Sequence, residues 1–264
     1  MAKTVIDFTR MKAEKRRISM VTSYDYWSAK IINKSDVDAI LVGDSLAMVM
    51  HGHSTTIPAD INLMALHTNA VVKGAPEKLI VADMPFLSVR KGIADAVENA
   101  GTLCRAGAAA VKIEGLDGHE DVIIHLIQSG IPVMGHLGLT PQSIHAFGGY
   151  KVQAVESDAQ HHLVQCARRL EQIGVFSIVL ECVPQDLAGE VTRCLSIPTI
   201  GIGAGPDVDG QILVLQDMLG MDLSFKPKFL RTFLEGENLI SEALNKYSEA
   251  VKSRTFPDKS ESYS

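Results

Sequence analysis

Five successive apolar runs of this chain end in or beside an ionisable residue. "DAILVGD" reaches Asp44, with Ser45 next, and "KLIVADM" reaches Asp83. "AAAVKIE" carries Lys112 and Glu114, "IPVMGH" stops at His136, and "FSIVLEC" reaches Glu181. Three carboxylates in consecutive runs raise an electrostatic problem. If Asp44, Asp83 and Glu114 converge to within ~5 Å at an effective dielectric of ~20, each pair repels by roughly 3 kcal/mol. Three pairs total about 10 kcal/mol, comparable to the stability of a whole domain. Protons or a divalent cation must offset that repulsion. An all-oxygen donor set with room for water favours Mg²⁺ over Zn²⁺. Each residue alone has a blander reading. Asp44 after Val-Gly suits a turn or a helix cap, His136 a satisfied structural histidine, and Lys112 a strand edge. The joint pattern across five runs favours a functional set.

The elements that would position these groups are legible in the same runs. Eight segments read as strands: 17–24, 38–44, 78–84, 108–114, 131–136, 176–182, 197–203 and 211–217. Their β-branched, near-continuous apolar character suits parallel strands covered on both faces. Helical periodicity occupies about 59–73, 91–106, 119–129, 157–174 and 185–195, with a terminal helix region at roughly 227–252. In 157–174, Ala159, Leu163, Ala167, Leu170 and Ile173 share a face. Ser157 with Gln160 resembles a capping box, and Gly174 suits a C-terminal stop. This alternation predicts an α/β fold, a single-domain (β/α)8 TIM barrel over residues 1–264, with a short N-terminal lead-in and a polar C-terminal tail expected to be mobile. An open doubly wound sheet is the alternative. Alternate strand residues share a face, so Lys112 and Glu114 can both point into the C-terminal mouth, where barrel enzymes gather their reactive groups.

Composition narrows the function classes. A formal charge of −6 over 264 residues is a poor match for nucleic acid. The basic cluster Lys15-Arg16-Arg17 reads as a solvated lead-in. The N-terminal stretch has no apolar h-region, and no apolar run approaches the ~18 residues of a membrane span. Cys104, Cys166, Cys182 and Cys194 form no C-x-x-C pair and read as reduced, buried thiols of a cytosolic protein. In "GIGAGPDVDG", Pro206 stands where a dinucleotide fingerprint needs its last glycine. A tight turn and close backbone approach by a ligand remain equal readings there.

The stretches "VTSYDYWSAKI", "LVGDSLAMV", "VADMPF", "AGAAAVKIEG", "PVMGHLGLTPQS", "FGGYKVQ", "VLECVP" and "IPTIGIGAGPDVDGQILV" run in order from about residue 16 to residue 235. Together they resemble the ketopantoate hydroxymethyltransferase family. The "GHLGLTPQS…GGYKVQ" block is the most specific. The Asp-Ser element is shared with the wider group of Mg-dependent α-keto acid barrels.

The resemblance implies transfer of a hydroxymethyl group from 5,10-methylenetetrahydrofolate to 3-methyl-2-oxobutanoate (α-ketoisovalerate), giving 2-dehydropantoate in pantothenate biosynthesis through a Mg-stabilised enolate. It implies that Asp44, Asp83 and Glu114 serve the metal. Asp44, Ser45, Asp83, Lys112 and His136 would bind the keto acid, and Glu181 would be the general base. Tyr24, Phe147 and the "GIGAG" loop are candidates for folate contacts. The implied partners are the keto acid and the folate, with no nucleic acid and no membrane. The implied assembly is a cytoplasmic homo-oligomer, a decamer in bacterial members. Ala47 and Ala154 stand where the family usually has glycine, and the tail "SRTFPDKSESYS" departs from the usual ending. These departures leave the charged residues intact. A lyase of the isocitrate-lyase type is the competing enzyme reading, but its Lys-Lys-Cys-Gly-His signature is absent. A non-catalytic metabolite-binding barrel is the competing class.

Overall fold

The structure is a computed structural model and describes residues 3–263. The chain divides into two compact units, residues up to Leu213 and residues from Val214 on. The first unit holds eight strands: β1 (Ile18–Thr22), β2 (Ala39–Val42), β3 (Leu79–Asp83), β4 (Ala110–Glu114), β5 (Val133–Gly138), β6 (Ser177–Glu181), β7 (Thr199–Ile202) and β8 (Gly210–Leu213). Each pairs in parallel with the next, and β8 pairs with β1, closing a barrel. Its helices are α1 (Val5–Ala13), α2 (Tyr26–Asn33), α3 (Leu46–Val49), α4 (Ile61–Gly74), α5 (Ile93–Arg105), α6 (Glu120–Gln128), α7 (Ile144–Phe147), α8 (Ser157–Ile173) and α9 (Gln185–Cys194). The expected parallel barrel is therefore present, and the open sheet is excluded.

Strands β2, β3 and β4 are buried along their whole length, as the continuous apolar runs require. The interior is filled by Met20, Leu41, Val81, Met134, Val179, Ile200 and Ile212, among others. Its N-terminal end is stoppered by a helix that periodicity over longer windows passed over. Residues 5–13, read as a lead-in, form α1. Thr4 and Asp7 cap it reciprocally, and Phe8 and Met11 are buried in the barrel core. Phe8 meets Phe176 edge-on, with ring centroids 5.9 Å apart. Lys12 anchors the helix by an ion pair to Asp209 at 2.9 Å. Polar groups at this end of a barrel serve stability rather than chemistry.

Helix α8 and strand β8 also differ in detail from the sequence expectation. Helix α8 begins at Ser157 with Glu156 in the N-cap position, and no side chain caps it. Gln160 instead donates to the Val155 carbonyl at 3.0 Å, so there is no capping box. Gly174 does end the helix, with φ +99°. The buried face is Leu163, Cys166, Ala167 and Leu170, while Ala159 is exposed. The other difference is at β8, which stops at Leu213 rather than 217 because its pairing with β1 ends at Val21 and Leu213.

No helix joins β7 to β8. Seven residues, 203–209, make the return alone. They can span about 23 Å, enough to descend a four-residue strand of about 13 Å. The glycines of "GIGAG" serve this tight passage. Gly205 has φ +78°, and a Cβ there would lie 2.4 Å from the Gln185 Cβ. The turn reading of this motif thus has a direct steric reason.

The second unit contains α10 (Leu215–Met218) and α11 (Gly236–Lys252). The terminal helix is thus shorter than the expected 227–252 region. Tyr247 packs edge-on against Phe256, 5.7 Å between centroids. In the polar tail, Asp258 caps a 3₁₀ turn at Lys259–Glu261, and Ser264 lies outside the described residues. Among the described residues no helix is long and apolar enough to cross a membrane.

Candidate active site

Register decides which strand-end residues meet. Asp83 of β3 is level with Lys112 of β4, and Glu114 is level with His136 of β5. Gly138 of β5 is level with Glu181 of β6. Lys112 and Glu114 are both buried and both take part in the same side-chain cluster, as their shared parity requires. The Lys112 Nζ lies 3.1 Å from Asp83 Oδ1 and 3.0 Å from His136 Nδ1. His136 Nδ1 is 3.6 Å from Glu114 Oε1, and its Nε2 is 3.2 Å from Glu181 Oε2. Asp44 joins through its backbone, whose N–H donates to Asp83 Oδ2 at 3.0 Å. A Cβ at Gly43 would crowd the Ser45 hydroxyl, 2.9 Å from its Oγ. Ser45 Oγ shares a hydrogen bond of 2.8 Å with the Tyr24 hydroxyl.

The backbone aims Glu181 with unusual constraint. Gly138 has φ +92°, and a Cβ would lie 2.3 Å from the Glu181 carbonyl oxygen. Only glycine lets Leu139 donate to that oxygen at 2.8 Å. The next residue, Cys182, takes φ +48°, a strained region for a side-chain-bearing residue. It is held by its own N–H to Ile202 O and by Gln153 N–H to its carbonyl, both 2.8 Å.

Charge in the cluster is unbalanced. Burial, followed by the charges of Asp83 and Glu114, pushes the Asp44 carboxyl well above its ordinary range. Burial also raises Asp83, although Lys112 opposes this. Burial works against the Lys112 ammonium, but Asp83, Glu114 and Asp44 together hold its pKa above that of a free lysine. At His136, burial and then Lys112 favour the neutral ring, while the nearby Glu114 and Glu181 carboxylates pull its pKa up. The contact at Nδ1 decides the tautomer. An ammonium 3.0 Å away must donate, so Nδ1 accepts and the proton sits on Nε2, facing Glu181.

One residue that a search for charged strand ends misses is central here. Gln142, in the turn after β5, donates from Nε2 to Asp44 Oδ2 at 2.8 Å and to the Met84 carbonyl at 2.9 Å. Its backbone N–H donates to Glu114 Oε2 at 3.0 Å. It lies within "GHLGLTPQS", but an uncharged loop residue gave no signal of its own. Tyr150 is a second such residue. Burial, then the charges of Glu181, Asp44 and Glu114, raise its phenol pKa.

The donor chemistry fits a hard divalent cation. Glu114 Oε1 and His136 Nε2 are buried and lack a hydrogen-bond partner, the approach of Nε2 to Glu181 being off the N–H direction, and Asp83 Oδ1 meets only the Lys112 ammonium, at 3.1 Å. Three buried carboxylates face one ammonium, leaving excess negative charge among hard oxygens. Asp44 and Asp83 are adjacent. Glu114 stands one step further up β4, with its Oε2 held by Gln142, so the three do not form a set with all donor atoms within 4.8 Å of one another.

A family profile described as ketopantoate hydroxymethyltransferase matches residues 2–259. The chain belongs to the ketopantoate hydroxymethyltransferase family. A 3-methyl-2-oxobutanoate hydroxymethyltransferase of Bdellovibrio bacteriovorus is 55% identical over 262 residues, covering 99% of this chain and 100% of that protein. A protein of the same name from Coxiella burnetii is 55% identical over 252 residues, 95% of each chain. Among solved structures, a 2,3-dimethylmalate lyase described as a PEP mutase/isocitrate lyase superfamily member superposes with a TM-score of 0.62 at 18% identity, covering 98% of this chain and 91% of its own. A phosphonopyruvate hydrolase crystallised with oxalate and Mg²⁺ gives 0.63 at 11% identity, covering 98% and 93%. At such identities these two establish a shared barrel and nothing about chemistry. The family's chains thus run nearly end to end with this one.

Proposed function

We propose that this member of the family transfers a hydroxymethyl group from 5,10-methylenetetrahydrofolate to 3-methyl-2-oxobutanoate, forming 2-dehydropantoate in pantothenate biosynthesis. The observation that carries the reading is the buried cluster of Asp44, Asp83, Glu114 and Lys112, with Glu181 beside it and only 18% exposed at its side chain. Asp44 and Asp83 would hold Mg²⁺, with Glu114 supporting it from above. When bound, the cation supplies Lewis-acid polarisation of the keto oxygen. Lys112 offers positive charge to the substrate carboxylate, and Ser45 a hydroxyl. Glu181 takes the C3 proton, with the His136 ring 3.2 Å away. Water cleaves both C–N bonds of the folate methylene bridge, so tetrahydrofolate leaves with two N–H groups and the carbon is freed at the formaldehyde level. The carbanion carbon bonds to that carbon, whose oxygen takes up a proton to become the hydroxyl. The same reading takes the protein as a cytoplasmic homo-oligomer, a decamer as in bacterial members of the family.

The test is proton NMR of the keto acid in D₂O with the protein, in Mg²⁺ and then in EDTA. The C3 proton signal should disappear only with the metal, and adding methylenetetrahydrofolate should yield 2-dehydropantoate. No product in either condition would sink the assignment. Gln142→Ala gives a second check. Losing the amide that orients Asp44 should weaken Mg²⁺ binding by roughly 10–100-fold, as loss of a group orienting a metal ligand does. Calorimetric affinity equal to the parent protein would show that Gln142 does not orient the site.

A further inference from the structure

A second cluster lies outside the charged mouth. Asp117, three residues beyond Glu114, meets two residues of α8. His162 Nε2 is 3.0 Å from Asp117 Oδ2, and Cys166 Sγ is 3.5 Å from the same Nε2. All three donor atoms lie within 4.8 Å of one another. His162 and Cys166 are four apart on a helix, so they share a face by construction. Cys166 is 6% exposed, whereas the other two are open to solvent.

The hydrogen-bond valence of this arrangement does not close. A neutral imidazole nitrogen either donates or accepts. If Nε2 carries a proton it serves Asp117 and has nothing to offer the thiol hydrogen. If it is bare it accepts from the thiol and repels the carboxylate. A Cys–His–Asp nucleophile is also excluded, because that device needs the acid and the thiol on opposite ring nitrogens. Here both approach the same one. Burial, followed by the charge of Asp117, also pushes the Cys166 thiol up to about 11, so it is not an activated nucleophile.

A cation placed among the three atoms removes the conflict. With metal–sulfur and metal–nitrogen bonds of about 2.3 and 2.05 Å, a tetrahedral centre sets sulfur and nitrogen about 3.5 Å apart. That is the separation found between Cys166 and His162; the 3.0 Å between His162 and Asp117 would open to about 3.4 Å, a shift that the exposed Asp117 side chain can make. We propose that Asp117, His162 and Cys166 form a binding site for one borderline divalent cation of the zinc class, with water completing the coordination. The mixed sulfur, nitrogen and oxygen donors separate it from the all-oxygen cluster at the mouth. An ion here ties the loop leaving Glu114 to α8. That loop is already fixed by Arg90, which donates to the Asp117 carbonyl at 2.6 Å.

Cobalt(II) is the probe, added to the full-length protein with saturating Mg²⁺ to occupy hard-oxygen sites. One equivalent should produce thiolate-to-cobalt charge-transfer absorption in the near ultraviolet, removed by competing Zn²⁺. Cys166→Ser should abolish the band. His162→Gln, at an exposed position where folding is not at issue, should weaken cobalt affinity at least ~10-fold, the lower bound for disturbing a ligand's surroundings. Absence of the band at equimolar cobalt overturns the proposal. So does a band that persists in Cys166→Ser, or an affinity unchanged in His162→Gln.

Discussion

Glu181→Gln is expected to keep Mg²⁺ and keto acid affinity near the parent values while kcat falls by roughly 10²–10⁴, the usual share of a general base. The substitution preserves shape. The amide fills the same space beside His136 Nε2, 3.2 Å away, so the ring and its contact to Lys112 need not move. What is lost is the capacity to take a proton. Exchange of the C3 proton in D₂O should fall in parallel with turnover, because both begin with that transfer. A split result would be informative. If turnover drops while exchange persists, Glu181 acts after deprotonation, and if neither changes it has no part in the mechanism. A KM effect of similar size with kcat intact would make it a binding residue instead.

Lys112→Met is expected to cost about 3–5 kcal/mol of folding stability at neutral pH in EDTA, the usual penalty for removing one partner of a buried ion pair. Both Lys112 and Asp83 are about 4% exposed at their side chains, so water cannot take the ammonium's place. The sign of the pH dependence follows from the shifts. Lys112 has a raised pKa in the fold, so its contribution is complete below the unfolded-state value and is lost only as pH rises through the folded one. The full penalty therefore applies at pH 7. In the variant, Asp44 and Asp83, whose pKa values are already raised, can relieve the repulsion by taking protons. Denaturant unfolding should accordingly show a smaller loss at pH 5 than at pH 8. The double variant Lys112→Met/Asp83→Asn should recover part of the loss, since it removes the charge left unpaired. Equal losses at both pH values would show that the cluster's carboxylates do not set the cost.

Much of this molecule was readable from residue order. Each apolar run with a charged end became a barrel strand, because a strand covered on both faces shows as unbroken apolarity whatever its neighbours. The parity of Lys112 and Glu114 is likewise local, since a period of two puts them on one face in any strand. The family resemblance rests on the same contiguous blocks, now matched by residues 2–259.

Other features depended on distance through space. The α1 stopper was invisible because nine residues carry too little periodicity, and Phe8 becomes a core residue only when a barrel end exists to receive it. The role of Gln142 could not be read, because its partners Asp44, Met84 and Glu114 come from three other strand ends. Nor could one sequence set the register that places Glu114 above the two aspartates, or bring Asp117 to the face of His162 and Cys166. Sequence by itself determined which residues carry charge and which way each strand presents them. Only the closed barrel decided which of those charges meet, because pairing between strands fixes heights that no single strand records.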